Sequence, residues 1–341
     1  MCQPLDRTSR SGRSQRVDWP RFVQRISDAG RIVLTTHVRP DCDAVGSQLA
    51  MQAILEALGK EATIVNAFDL PRNLAFLDAD GRLNRLERDV PAAAIEQYDL
   101  LLILDTTAWA QLGAMAEVVR TTRVAKAVLD HHVSGDDLGA ELFKDTSAEA
   151  TGRLVVEAAD HLGIPLSPRI ARPAFAAVAT DTGWFRFAST DAETFALAAR
   201  LVRAGACPDE FYRVLYENDT IARLNLIGRV MARAVTEEGG RLIHTYILRD
   251  DFLQTGAEPG DSEDIINMTL TVGGTEVAVI LIERKEGNFK VSFRSRSHVD
   301  CSRLAERFGG GGHKAAAGAF VPGPLSAAQA EVLDAVRQAM Q

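Results

Sequence analysis

The stretch "RIVLTTHVRPDCDAVGSQLAMQAILEALG" (residues 31–59) passes from one periodicity into another. RIVLTT (31–36) has the pattern of a buried strand, and it delivers the chain into His37. From Ala44 apolar residues recur at helical spacing as far as Gly59, a good helix end. Between strand and helix lie His37, Asp41 and Asp43, one imidazole and two carboxylates within seven positions. Gly46 and Ser47 follow at the start of the helix, where small residues permit close packing.

The same strand–helix alternation continues down the chain. ATIVNAF (62–68) reads as a second strand and YDLLLILDTT (98–107) as a third, apolar until Asp105. VAKAVLDHH (124–132) is a fourth, ending in Asp130, His131 and His132. A helix follows from about Glu149 to Leu162, and then an apolar segment, AFAAVATDTGWF (174–185), carries Asp181. This alternation predicts an α/β fold, a parallel sheet with helices on both faces. In open sheets of that kind the carboxyl ends of the strands converge on one crevice. Four segments, all expected at strand ends, would therefore deliver acidic and imidazole groups to one place.

Residues 191–237 read as helices, and TIARLNLIGRVMARAV (220–235) looks like a connector. After Gly239 and Gly240 the pattern restarts: strand 241–248, a helix near 262–272, strands 275–284 and 289–297, and helix 301–308. GGGGHKAAAG (309–318) and a helix from about Ser326 to Met340 close the chain. The expected organisation is a flexible tail (1–17), a parallel-sheet domain (18–205), a helical linker (206–238) and a smaller α/β domain (239–341).

Bulk properties bound the function. A length of 341 residues suggests two domains, and 46% hydrophobic with 25% charged residues suits a globular core. A formal net charge of −8 excludes a global basic field, so any polyanion site must be local. Cys2, Cys42, Cys207 and Cys301 form no CxxC pair, and a reducing cytoplasm is expected. No run of about 18 apolar residues could span a membrane. The polar first sixteen residues, with Arg7, Arg10, Arg13 and Arg16, lack the apolar stretch of a secretory signal.

Carboxylates and imidazoles without thiolates suit Mn²⁺ or Mg²⁺ better than a structural zinc site. His37, Asp41, Asp43, Asp105, His131 and Asp181 are too many for one ion that must also hold water. Two ions roughly 3.5–4 Å apart, with one aspartate bridging, would use them.

Taken together, these motifs resemble the DHH phosphoesterase superfamily. HVRPDCDAVGS matches its first motif, the aspartate of LILDTT its second, LDHH its third and ATDTGWFRF its fourth. VSFRSRS and FGGGGHKAAAG resemble the DHH-associated domain of the first type, so the likeness covers about residues 28–322. The layout is most similar to the short-oligoribonuclease and 3′-phosphoadenosine-5′-phosphate (pAp) phosphatase group. The resemblance implies that His37 and Asp41 hold one ion, that Asp43, His131 and Asp181 hold the other, and that Asp105 bridges both. It makes Asp130 the residue that orients an imidazole and turns His132 toward the substrate phosphate. Cys42 departs from the small residue usual there and adds an oxidisable thiol.

In VSFRSRS, alternation puts Ser292, Arg294 and Arg296 on one face, with Phe293 and Ser295 on the other. A guanidinium can grip a phosphate bidentately, and a glycine run lets backbone amides approach an anion. Arg294, Ser295, Gly310, Gly311, Gly312 and His313 are therefore candidates for substrate binding, with Asn267 a sugar or base contact by position in the resemblance. Residues 283–314 hold eight Lys/Arg against four acids.

The expected function is two-metal hydrolysis, with Mn²⁺ first and Mg²⁺ second, of oligoribonucleotides of about two to five residues, of linear dinucleotides such as pGpG or pApA, and of pAp. With no OB-like barrel and no long basic channel, a RecJ-type single-strand exonuclease is disfavoured. The glycine loop argues against a family II pyrophosphatase. The full ligand set argues against a non-catalytic nucleotide-binding protein. The expected partners are these small substrates, with no long duplex and no membrane, and the resemblance implies a homodimer.

Overall fold

The computed structural model describes residues 16–341, and the chain divides after Glu217 into two compact units. Of the expected tail, residues 1–15 lie outside the described residues, while Val17 is already buried in the core.

The first unit contains α1 (Trp19–Asp28), β1 (Arg31–Thr35), α2 (Cys42–Ala57), β2 (Glu61–Asn66), β3 (Leu83–Arg85) and β4 (Leu100–Leu104). It continues through α3 (Met115–Thr121), β5 (Ala125–Asp130), β6 (Glu141–Lys144), α4 (Thr151–His161), α5 (Pro168–Asp181), α6 (Ala192–Arg203) and α7 (Pro208–Tyr216). Its strands form one sheet in the order β3-β2-β1-β4-β5-β6, with every pair parallel. The strands read as unbroken apolar runs because both faces are covered. Ile32, Leu34, Leu100, Leu102 and Leu104 face one core layer, while Val33, Leu101 and Ile103 face the other. Strand order reverses between β1 and β4, so the loops after these two strands part and leave a crevice at their carboxyl ends. His37 and Asp105 follow those two strands.

Helix α2 is buried from Cys42 to Leu55, so its apolar residues need no single face. It packs on α5 through Gly46, where a Cβ would lie 2.4 Å from the Pro173 carbonyl oxygen. Only glycine permits that approach. Gly152 plays the same part on α4, where a Cβ would come within 2.6 Å of the Ala177 side chain.

The second unit contains α8 (Ile221–Ala232), β7 (Val235–Glu237), β8 (Leu242–Ile247), α9 (Arg249–Thr255), α10 (Ile265–Thr269) and β9 (Val277–Glu283). It ends with β10 (Asn288–Ser295), α11 (Cys301–Glu306), β11 (Gly311–His313), β12 (Ala316–Pro322) and α12 (Leu325–Ala339). Its sheet order is β11-β12-β10-β9-β8-β7, parallel only between β8 and β9. The chain is thus a mixed α/β protein, with a parallel sheet in one unit and a mixed sheet in the other.

Three local expectations change. Asp181 ends helix α5 rather than a strand, because an all-round apolar run of alanines and valines serves a buried helix as well as a buried strand. The expected connector helix, α8, belongs to the second unit's core: Leu226 and Val230 are fully buried against Ile243 and Ile247. The helix expected near 262–272 shortens to Ile265–Thr269. Among the described residues no helix is long and apolar enough to cross a membrane.

Candidate metal centre

The ends of β1, β4, β5 and α5 and the start of α2 contribute to one cluster in the first unit. His37 lies just past β1, and its Nδ1 is 3.1 Å from the Val38 carbonyl oxygen. His131 lies just past β5, with Nδ1 3.1 Å from the Ala148 carbonyl oxygen. A carbonyl only accepts, so each Nδ1 carries the proton and each Nε2 offers a lone pair. Those Nε2 atoms face carboxylates: His37 is 3.3 Å from Asp105 Oδ2, and His131 is 3.6 Å from both Asp105 Oδ1 and Asp181 Oδ2 and 3.8 Å from Asp43 Oδ2.

Asp105 is 2% exposed and stands in left-handed backbone (φ 62°) at the end of β4. That conformation is uncommon for a residue with a Cβ, and it turns the carboxylate across the crevice. Thr151 Oγ1 donates to Asp105 Oδ1 at 2.8 Å. Asp43, on the first turn of α2, accepts the Thr151 and Gly152 amides, both at 2.8 Å, and the Ser47 hydroxyl at 3.1 Å. The carboxylate of one helix thus caps the amino end of another, α4. Asp41 caps α2 itself, accepting from the Ala44 amide at 3.0 Å.

Ligand atoms fall into three groups, each within 4.8 Å: His37–Asp41–Asp105, Asp43–His131–Asp181, and Asp105–His131–His132. The first two share no residue, and Asp105 has one oxygen toward His37 and the other toward His131. A cluster of carboxylate oxygens and imidazole lone pairs is all acceptor, so it calls for cations between its members. Its electrostatics agree. Burial, with added repulsion from Asp43 and Asp41, raises the Asp105 carboxyl well above its ordinary range. Burial also raises Asp43, although His131 and the two amides oppose it. Burial and then Asp43 push Asp181 up to about 6. Oxygen and nitrogen donors without a thiolate fit divalent ions of the Mn²⁺ and Mg²⁺ kind.

Asp130 is fully buried behind the cluster. Burial opposes its charge, yet the His132 side chain (2.8 Å) and backbone amide (3.1 Å), with Lys144 beyond, hold its carboxyl below the ordinary range. The same hydrogen bond raises the pKa of His132, whose side chain is 45% exposed. Lys144 Nζ is buried 3.3 Å from Asp130 Oδ2 and donates to Thr107 Oγ1 (3.2 Å) and the Ser134 carbonyl (3.1 Å). Sequence reading passed over Lys144, Thr107 and Thr151. Only the TT after Asp105 and the charged KD pair that ends LFKD before α4 hinted at polar groups there. Cys42 sits between two candidate ligands, but burial and then Asp41 push its thiol up to about 12, so it carries no thiolate at neutral pH.

In the second unit, Arg294 Nε donates to Asn267 Oδ1 at 3.2 Å, which brings together two candidate contacts 27 positions apart. Arg296 is tied to the Leu270 carbonyl at 2.8 Å. Ser295 lies on the buried face beside Phe293, and its Oγ accepts the Ser297 amide at 3.1 Å, so its hydroxyl anchors a turn. The glycine run is a strand rather than a loop: Gly311, Gly312 and His313 pair with Gly318, Ala317 and Ala316. A Cβ at Gly310 would lie 2.2 Å from the Gly318 carbonyl oxygen, and one at Gly312 would lie 2.6 Å from that of Ala316. A Cβ at Gly311 would meet nothing within 4 Å. Gly310 and Gly312 are thus demanded by packing, while Gly311 and His313 stand exposed.

The N-terminal domain of the DHH family matches residues 31–178, and the DHHA1 domain matches residues 239–341. The bifunctional oligoribonuclease and PAP phosphatase NrnA of Thermus thermophilus is 36% identical over 322 residues, covering 93% of each chain. The protein of the same name from Bacillus subtilis is 27% identical over 306 residues, 88% of this chain and 92% of its own. Among solved structures, an exopolyphosphatase-related protein from Bacteroides fragilis superposes with a TM-score of 0.82 at 25% identity, covering 94% of each chain.

Proposed function

The chain belongs to the DHH family of phosphoesterases, hydrolases of phosphoester bonds, and from that premise we propose its substrates and its ions. The substrates are short oligoribonucleotides and linear dinucleotides, cut to mononucleotides, and pAp, dephosphorylated to AMP. The ions are two divalent cations, with Mn²⁺ preferred. The observation that carries this reading is Asp105, whose two oxygens turn toward imidazoles of two different ligand groups. Resemblance to relatives named for oligoribonuclease and PAP phosphatase activity over nearly the whole chain supports the substrate class.

His37 and Asp41 would hold one ion, Asp43, His131 and Asp181 the other, and Asp105 both. Bound there, the ions would supply Lewis-acid charge and lower the pKa of the attacking water. The chain's own residues do the rest. Thr151 and the first amides of α4 fix Asp43 and Asp105, the two most buried of the candidate ligand carboxylates. Asp130 fixes His132 with Nδ1 as donor and favours its protonated form, so His132 Nε2 can give a hydrogen bond or a proton to a phosphate oxygen. The second unit offers Arg294, steadied by Asn267, with the exposed Gly311 and His313 as further anion contacts. The reading includes a cytoplasmic location, and size-exclusion chromatography would test for the homodimer.

The test is turnover of pApA, pGpG, a five-residue RNA, a 24-residue RNA, pAp and pyrophosphate with Mn²⁺, Mg²⁺ or chelator, beside Asp105→Ala. Mononucleotide release from the short RNAs with Mn²⁺, absent in the variant, is expected. Nucleotide binding without turnover of any substrate would overturn the assignment.

A further inference from the structure

The end of the second sheet that carries the β9–β10 turn holds a pocket of about 470 Å³, within the range of small-molecule sites. Its apolar lining is Phe252, Leu253, Pro259 and Ile282. Phe252 is half-buried, packed on one side against the Ile243–Ile247 core, while Leu253 is 79% exposed. Four cations line the same pocket: Arg249, Arg284, Lys285 and Lys290. All four are exposed, and none has a carboxylate partner among the ion pairs of the described residues. Arg284 lies instead over the Phe320 ring at 5.9 Å. Of the two acids present, Glu283 already accepts the Arg249 amide at 3.0 Å. The lining is therefore net positive on a chain whose formal charge is −8.

The placement is that of a ligand site. Arg249 follows β8 and Arg284 follows β9, the one parallel pair in this sheet, so the pocket lies off the carboxyl ends of two adjacent parallel strands. It also stands apart from the Arg294–Asn267 contacts. Lys290 pairs with Ile282 and Arg294 with Ala278, four residues farther along, or about 13 Å of strand.

We propose that this pocket is a second anion site that binds a nucleoside monophosphate, with its phosphate among Arg249, Arg284, Lys285 and Lys290 and its base against Phe252. Unpaired cations call for an anion, and the apolar floor calls for a flat apolar group attached to it. An extended acidic peptide is the poorer fit, because it would add to a sheet edge and this turn joins two interior strands.

The test is calorimetric titration of AMP into the full-length, Mn²⁺-loaded protein and into its Lys285→Glu/Lys290→Glu variant. Adenosine and ribose 5-phosphate are titrated in parallel. Two AMP per chain are expected for the parent and one for the variant, with turnover of pApA unchanged. Either fragment alone should bind the second site at least tenfold more weakly than AMP. The same number of AMP sites in both proteins would overturn the proposal, and so would ribose 5-phosphate binding as tightly as AMP. Both readouts are binding, so they stand whether or not the protein cleaves the substrates proposed above.

Discussion

Replacing Lys144 by methionine isolates the charge of a buried ammonium, since the two side chains fill similar space. The parent ion pair, 3.3 Å between Lys144 Nζ and Asp130 Oδ2, is worth about 5 kcal/mol in gross Coulomb energy at an effective dielectric of about 20. Removing one partner of a buried pair typically costs about 3–5 kcal/mol, because the other charge is left uncompensated. Asp130 has an escape, which is to take up a proton. At about 1.4 kcal/mol per pH unit above an ordinary carboxylate pKa, that escape caps the loss at about 4 kcal/mol at pH 7 and about 1.5 kcal/mol at pH 5. The sign follows from linkage. The folded pKa of Asp130 is depressed, so its contribution is complete above the unfolded carboxylate value and is lost as pH falls through the folded one. Lys144→Met should therefore destabilise the first unit by about 3–4 kcal/mol at pH 7 and by half that or less at pH 5. All three tryptophans, Trp19, Trp109 and Trp184, lie in that unit, so tryptophan fluorescence in urea follows its unfolding alone. Asp130→Asn/Lys144→Met, which removes both charges, should recover at least half of the loss. A loss under about 1 kcal/mol at pH 7, or an equal loss at both pH values, would refute the buried-pair reasoning.

Other perturbations probe the site and its supports. Thr151→Val removes the hydroxyl that orients Asp105 and should lower kcat about tenfold, measured on pApA with saturating Mn²⁺. In chelator-treated protein, Asp105, Asp43 and Asp181 have raised pKa values, so the folded state binds more protons than the unfolded. Thermal stability should then fall as pH rises from 5 to 8, and added Mn²⁺ should reverse the trend; a rise with pH in chelator would contradict it. Gly310→Ala and Gly312→Ala should each cost about 1–3 kcal/mol in urea unfolding, while Gly311→Ala stays near parent stability. If the Gly311 amide meets a phosphate, Gly311→Ala should nonetheless raise KM. Native Cys42 should react with iodoacetamide at pH 8 at least a hundredfold more slowly than in urea, read by peptide mass.

The clustering of the candidate ligands was legible because chemistry and pattern coincide: polar groups that end unbroken apolar runs stand out. The strands were legible because burial on both faces leaves them no polar positions. Asp181 was legible as a residue and misplaced as an element, since an apolar run of that length does not distinguish a buried helix from a buried strand. Lys144 was invisible for another reason. Its partner lies 14 positions away on a neighbouring strand, and a lone lysine in a short half-polar run looks solvated. The glycine run invited a chemical reading, yet two of its four members answer to carbonyl oxygens across a hairpin. Ser295 sat on the face that alternation had already assigned to Phe293, and there its hydroxyl serves a turn.

The close approach of Gly46 to Pro173 has a consequence for biosynthesis. His37, Asp41 and Asp43 leave the ribosome early, but the surface that seats their helix is made more than a hundred residues later. The amides that hold Asp43 belong to Thr151 and Gly152, and the last candidate ligand is Asp181. A nascent chain therefore carries an incomplete cluster until residue 181, just past the middle of the chain, has been made. An ion proposed for the Asp43–His131–Asp181 group would therefore be captured only once α5 has docked.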